Sequence, residues 1–468
     1  MTKKPLVNGI IKEIGFENYI SDNDELKEIR ENCEKVIKAQ EENTPKKSEQ
    51  IRNTLGFIQS IWKKYDCSEI AEMYAKFQRI EEALFGLERD ERTGGRYRDH
   101  FVHMFNCYVF GLRILTSIVN KTNDNDSKII FKVDDEQLRE VGLPFGENYS
   151  YKKRLFYLWT LISTFHDIAI PFQHLKNIGS GINKFVQEFG WIFTNPQVSI
   201  RSYDSSQLHY YFDLLGKLFG GGLQLIENGK KYKKQDKPHY YISKILGREF
   251  DYANHGVLSG FFMWKMIEEI FLVSRTSKYK FNIDQFNAYS EYVLEQDIAR
   301  AALAISLHNL KNDGRTGFCP RVFPIEFSKM PLTFLLILSD ELQEYLRWEG
   351  VTIENKMRFC SHPSIETEVK KKKGGFTIQL KVTLSWDLKD LSDIISHAKA
   401  ICKHRNENSS VDDITKAADV IGNEIKDNLE KKLFLGEGFE LIIEILENWK
   451  RQIYSKQLKT PVKIEGEK

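Results

Sequence analysis

Cysteine is scarce in this sequence: six residues (33, 67, 107, 319, 360 and 402) in 468, with no CxxC pair and no regular spacing. That scatter excludes a disulfide framework and a four-cysteine zinc site, and it suits reduced thiols in a cytoplasmic setting. A dominant charge is lacking as well. The 68 lysines and arginines stand against 66 aspartates and glutamates, a net charge of +2, so no global field draws the chain to nucleic acid or to a membrane surface. No apolar run approaches a bilayer span, since LFYLWTLI and FLLIL are the longest. The opening MTKKPLVNGIIKEIGF has no continuous signal-peptide core. A cytoplasmic protein without a membrane partner is the expectation. The GxSxG elbow is missing, and FGGGL at 219–223 lacks the GK[ST] ending of a phosphate loop, which leaves it as a hinge.

What is present is ample apolar material. Hydrophobic residues make up 41% of the chain and aromatics 12%, enough for a sizeable core, and the length allows two or three domains or one large core with appendages. Residues 22–90 carry helical spacing in DNDELKEIRENCEKVIKAQEE and EIAEMYAKFQRIEEALFGLE, and define an N-terminal helical region over 1–90. After TGG at 93–95 come the strongly apolar helices HFVHMFNCYVFGLRILTSIV and LFYLWTLI. Residues 175–250 are rich in lysine and turn formers and read as an insertion or lid. Helices resume in NHGVLSGFFMWKMIEEIF, in DIARAALAISLHNL and in PLTFLLILSDELQEYLRW, whose proline suits a helix start.

The last third, 351–468, changes character. Phe376, Ile378, Leu380, Val382, Leu384 and Trp386 alternate with polar residues, which predicts a β-hairpin turning around Gly374 and Gly375. Helices are expected to complete the chain, FELIIEILENWKRQIY among them. The KKKK run at 370–373 falls at the hairpin tip and reads as solvated. The fold class is therefore mainly α, a helical core over 91–350 with a small α/β appendage of a β-hairpin plus helices.

Against this background His103, His166, His255, His308, Asp167 and Asp340 all lie in apolar, helix-like segments. One such histidine is ordinarily a hydrogen-bonded core residue. Several helices each delivering an imidazole or carboxylate to apolar surroundings is another matter, because buried groups of this kind are tolerated when paired or when they coordinate a metal. Divalent ions take nitrogen and oxygen ligands from rigid elements, and crossing helices can supply them from distant parts of a sequence.

The order H…HD…H…H…D, in the contexts HMFNCYVFG, FHDIAIP, NHGVLSG, ISLHN and LILSDELQ, resembles the HD superfamily of metal-dependent phosphohydrolases over residues 98–350. The resemblance implies a helical-bundle core and two divalent ions, with manganese, iron and magnesium as candidates. By it His103, His166, Asp167 and Asp340 hold the first ion, while His255 and His308 hold a second that Asp167 bridges. His103 is preferred to His100 because Cys107 and Gly111 follow it at the family's small or apolar positions, which leaves His100 facing the ligands or the substrate. The implied reaction is attack by metal-activated water on phosphorus in a nucleotide phosphoanhydride or phosphoester.

Phosphate needs further positive partners. Arg98 lies just before the first ligand, with Arg96, and Lys311 and Arg315 follow His308. Glu344, one turn past Asp340, is placed to orient a ligand or water. Pro171, Phe172, Gln173 and His174 are similar to an element that follows HD in deoxynucleoside triphosphate triphosphohydrolases, which makes His174 a catalytic candidate beside His100 and Lys311. This copy stands one residue closer to HD, and Ile170 occupies the place of an expected histidine. IAIP after HD differs from the IGK of cyclic-dinucleotide phosphodiesterases. A nucleotide substrate, deoxynucleoside triphosphates included, is the leading expectation. The alternatives are a phosphodiesterase or nuclease acting on cyclic or polymeric nucleotides, and a non-catalytic, metal-stabilised regulatory module; homo-oligomerisation stays open.

Overall fold

The computed structural model describes residues 7–41, 47–65, 68–87, 100–133, 151–173, 205–220, 226–227, 230–231, 238–276, 291–310, 325–343, 363–373, 375–386, 391–407, 411–433, 438–447 and 451–458. Its helices are α1 (Val7–Ile14), α2 (Asn23–Glu41), α3 (Lys47–Lys64), α4 (Ser68–Leu87), α5 (His100–Asn120), α6 (Asp124–Phe131), α7 (Tyr151–Phe165), α8 (Ser205–Gly220), α9 (Pro238–Asp251), α10 (His255–Thr276), α11 (Glu291–His308), α12 (Pro331–Leu342), α13 (Leu391–His404) and α14 (Ile414–Lys432). Strands β1 (Ile226–Glu227) and β2 (Lys230–Lys231) form a minimal pair; β3 (Ser364–Lys372), β4 (Gly375–Trp386), β5 (Phe439–Glu447) and β6 (Arg451–Leu458) form a four-stranded sheet. The protein is mainly α, with its sheet at the C-terminal end.

α7 is the hub, in contact with α5, α10, α11 and α12. α5 and the segment Tyr151–Gln173 are apolar and long enough to pass for membrane spans, yet each is 94% buried inside the protein, as core helices are. Their close approach depends on Gly111. A Cβ there would lie 1.9 Å from Trp159 Cζ2, and the Trp159 indole donates to the Tyr108 carbonyl at 3.0 Å across the same contact. The buried Arg154 guanidinium on α7 donates to both oxygens of Asp297 on α11, at 2.8 and 2.7 Å.

The N-terminal helices brace this bundle from one side. Phe57 on α3 meets Phe105 edge-on at 5.0 Å, Tyr19 stacks on Phe156, and Trp62 meets Phe165 edge-on. The Tyr74 hydroxyl of α4 donates to the Thr164 carbonyl two residues before His166. Within 175–250, α8 and α9 pack on each other, and α8 packs on α11 through buried residues such as Tyr211 and Leu215; the lysine-rich composition did not announce these helices.

The C-terminal sheet has the order β3-β4-β5-β6. The β3–β4 hairpin is antiparallel with Lys372 opposite Gly375, and Lys370 to Lys373 are exposed, as the alternation predicts. FELIIEILENWKRQIY, expected to be helical, instead forms β5 and β6, an antiparallel pair. The reason lies in its spacing. Phe439, Leu441, Ile443 and Ile445 are buried at every second position, and Ile442 between them obscures that period. β5 also runs parallel to β4, which requires the crossover that α13 and α14 supply. The apolar face of the sheet rests on the bundle, with Phe439 against Phe327 and Phe334.

Candidate metal centre

The six residues singled out from their apolar contexts converge. His103 lies in the first turn of α5, His166 and Asp167 form the turn that ends α7, His255 opens α10, His308 closes α11, and Asp340 lies in the last turn of α12. His166 and Asp167 are at most 1% exposed, as are His308 and Asp340.

Asp167 is the centre of the arrangement. Its Oδ2 faces His103 Nε2 at 3.8 Å and His166 Nε2 at 3.6 Å; its Oδ1 faces His255 Nε2 and His308 Nε2, each at 3.4 Å. Asp340 Oδ1 lies 3.0 Å from His103 Nε2. The ligand atoms fall into two groups, each within 4.8 Å: His103, Cys107, His166 and Asp340 in one, Asp167, His255 and His308 in the other. The sequence gives Cys107 only a packing role, yet one helical turn beyond His103 it places Sγ 3.5 Å from that residue's Nε2.

Second partners set the imidazoles. His166 Nδ1 donates to the Ser163 carbonyl at 2.8 Å, and His308 Nδ1 to the Ile305 carbonyl at 2.5 Å. His255 Nδ1 is held by Gln173 Oε1 at 2.7 Å. With the proton on Nδ1, each Nε2 turns a lone pair towards the Asp167 carboxylate. His166 Nε2 and His308 Nε2 are buried with no hydrogen-bond partner among the described residues. Lone pairs facing carboxylate oxygens are repulsive without a cation between them. Two donors bound to one ion at roughly 2.1 Å stand about 3.0–3.4 Å apart, close to the separations found here. The residues fit a divalent metal, and the buried cluster is able to hold one.

The packing behind the donors is tight. A Cβ at Gly256 would lie 3.0 Å from His308 Cε1, so glycine lets α10 begin against the imidazole. The turn that carries His166 and Asp167 is tied to α10, where the Ser259 hydroxyl accepts from the Ala169 amide at 3.0 Å. Gln173, adjacent to His174 in the sequence, meets the cluster through its contact with His255. Of the other candidates, His100 is buried at the start of α5, one turn ahead of His103. His174, Arg96, Arg98, Lys311, Arg315 and Glu344 lie outside the described residues, as does most of FGGGL.

Burial pushes the His166 imidazole down to about 4, outweighing the pull of Asp167 in the other direction. Burial alone would raise the Asp167 carboxyl; positive charge or an Nε2 proton on the facing rings of His166, His255 and His308 reverses this and holds it well below the usual range, and with the rings neutral and protonated on Nδ1 a metal ion would supply that charge. In the metal-free protein His166 is therefore neutral when folded and titrates near 6.5 when unfolded. The unfolded chain binds more protons between these values, so stability present above pH 6.5 is lost as pH falls towards 4, by up to about 3 kcal/mol. Urea unfolding of chelator-treated protein at pH 7 and pH 5 should show the loss, and His166→Gln should remove most of it. Equal pH dependence in the two proteins would contradict a buried neutral imidazole.

Compared with protein-family models, with curated proteins and with solved structures, the chain matches none.

Proposed function

We propose that this chain is a metal-dependent phosphohydrolase of the HD type, hydrolysing a phosphoanhydride or phosphoester bond of a nucleotide, with deoxynucleoside triphosphates as one candidate substrate. The observation that carries the reading is the division of Asp167: one buried carboxylate with two imidazole nitrogens facing each oxygen. A carboxylate placed in this way suits a position between two cations, with His103, His166 and Asp340 on one side and His255 and His308 on the other.

Divalent ions, when bound, lower the pKa of water and neutralise charge on phosphoryl oxygens. The chain's own residues do the rest. Nδ1 bonds to Ser163, Ile305 and Gln173 fix the ring orientations, which preserves the lone pairs for binding. The apolar helices around the centre exclude bulk water and strengthen its electrostatics. Arg98, Lys311 and Arg315 are proposed to bind substrate phosphates, and His174, His100 and Lys311 are the candidates to supply or orient a proton.

The test is metal analysis of purified protein followed by a nucleotide panel assayed with manganese, iron and magnesium. The expected result is bound metal together with metal-dependent release of phosphate, pyrophosphate or triphosphate. Cleavage confined to cyclic or polymeric nucleotides would move the reading to a phosphodiesterase. Tight metal binding with no turnover of any phosphate compound would overturn the enzymatic reading in favour of a regulatory module.

A further inference from the structure

Lys432 ends α14, far from the ligands in sequence, yet its side chain is 1% exposed and enters the core. The ammonium donates to Asp340 Oδ2 at 3.4 Å and lies closer still to Glu341 Oε1, with which it forms an ion pair. Asp340 Oδ1 is the oxygen that faces His103. The carboxylate is thus held from both ends, one oxygen by the lysine and the other directed into the ligand cluster. Asp340 and Glu341 are both buried. Two adjacent buried carboxylates without a cation would repel each other, and one would be driven to its neutral form. Lysine is itself almost never buried unless paired, so this contact is a three-residue unit built across two parts of the fold.

We propose that Lys432 is a positioning residue of the metal centre, fixing Asp340 as a one-oxygen donor and making the C-terminal α/β part a component of the centre. The inference rests on the metal-binding reading of the cluster. Residues that orient a ligand from behind it typically change metal affinity by about 10–100-fold when replaced. Arginine preserves the charge and the donors, whereas methionine preserves only the stem.

The experiment is a cobalt(II) titration of full-length wild type, Lys432→Met, Lys432→Arg and Asp167→Ala, followed by visible absorption, with folding checked by circular dichroism. Lys432→Met should bind about 10–100-fold more weakly, with an altered cobalt spectrum, and Lys432→Arg should restore most of the affinity and the wild-type spectrum. If Lys432→Met does not fold, the double variant Glu341→Gln/Lys432→Met removes the charge that the ammonium balances and is titrated in its place. A folded single or double variant with wild-type affinity and spectrum would overturn the proposal while leaving the metal centre intact. Wild type and Asp167→Ala binding equally little cobalt would remove the metal centre, and the role of Lys432 with it.

Discussion

Under the proposed function, Asp167→Asn protein should purify without metal and hydrolyse substrate at least about 10³-fold more slowly, a loss of about 4 kcal/mol in transition-state stabilisation. The replacement keeps the shape and removes the charge. Both groups of donors lose their shared carboxylate at once, because each Asp167 oxygen faces two imidazoles. In the metal-free fold the replacement also gives up the stabilisation that the facing imidazoles lend the Asp167 carboxylate, so basal stability is compared beside the metal response. The informative measurement is thermal unfolding with and without added manganese. Wild type should gain stability in proportion to the logarithm of metal concentration above its Kd, and the variant should gain none. A variant that keeps wild-type metal content and the same metal-dependent rise in Tm would sink the bridging role.

The largest effect on the fold is expected at Arg154. Its guanidinium and the Asp297 carboxylate are 2% and 0% exposed and meet in a two-point contact. Breaking one side of such a pair leaves the other charge stranded in a low-dielectric interior, and Arg154→Met should cost about 3–5 kcal/mol. The double variant Arg154→Met/Asp297→Leu removes both charges and should recover most of that loss. Urea unfolding of both variants against wild type gives the comparison. A single variant within about 1 kcal/mol of wild type would show that water reaches the pair. The ion pair also joins the helix leading to His166 with the helix ending in His308, so its loss should loosen metal binding even where folding survives.

Much of this was legible in the sequence because local signals agreed with the tertiary outcome. Apolar runs too greasy for their polar residues marked α5, α7, α11 and α12, and the same mismatch marked His103, His166, His308 and Asp340. Strict alternation marked β4. FELIIEILE deceived because Ile442 and Leu446 fill both faces, and because the strand gains stability from β4, whose presence beside it no local pattern records. Cys107 could have been found from its one-turn spacing to His103. Lys432 could not: in DNLEKKLF it looks like any lysine at a helix end, and only packing brings it to Asp340. Gln173 is similar, since nothing in PFQHLKN connects it to an imidazole in another helix.

The way the helices meet the cluster has an electrostatic consequence of its own. α7, α11 and α12 all arrive by their C-terminal ends, at Phe165, His308 and Leu342; of the helices that carry the clustered imidazoles and carboxylates beyond α5, α10 alone enters by its N-terminus. A helix C-terminus carries roughly half a negative charge and an N-terminus roughly half a positive one, so the three C-termini outweigh the N-termini of α5 and α10 by about half a charge and leave the two aspartates opposed chiefly by Lys432 before any ligand binds. The background potential, set mainly by Asp167 and Asp340, therefore favours dications over free anions. Binding of any anion at this cluster is thereby tied to prior occupancy by a dication.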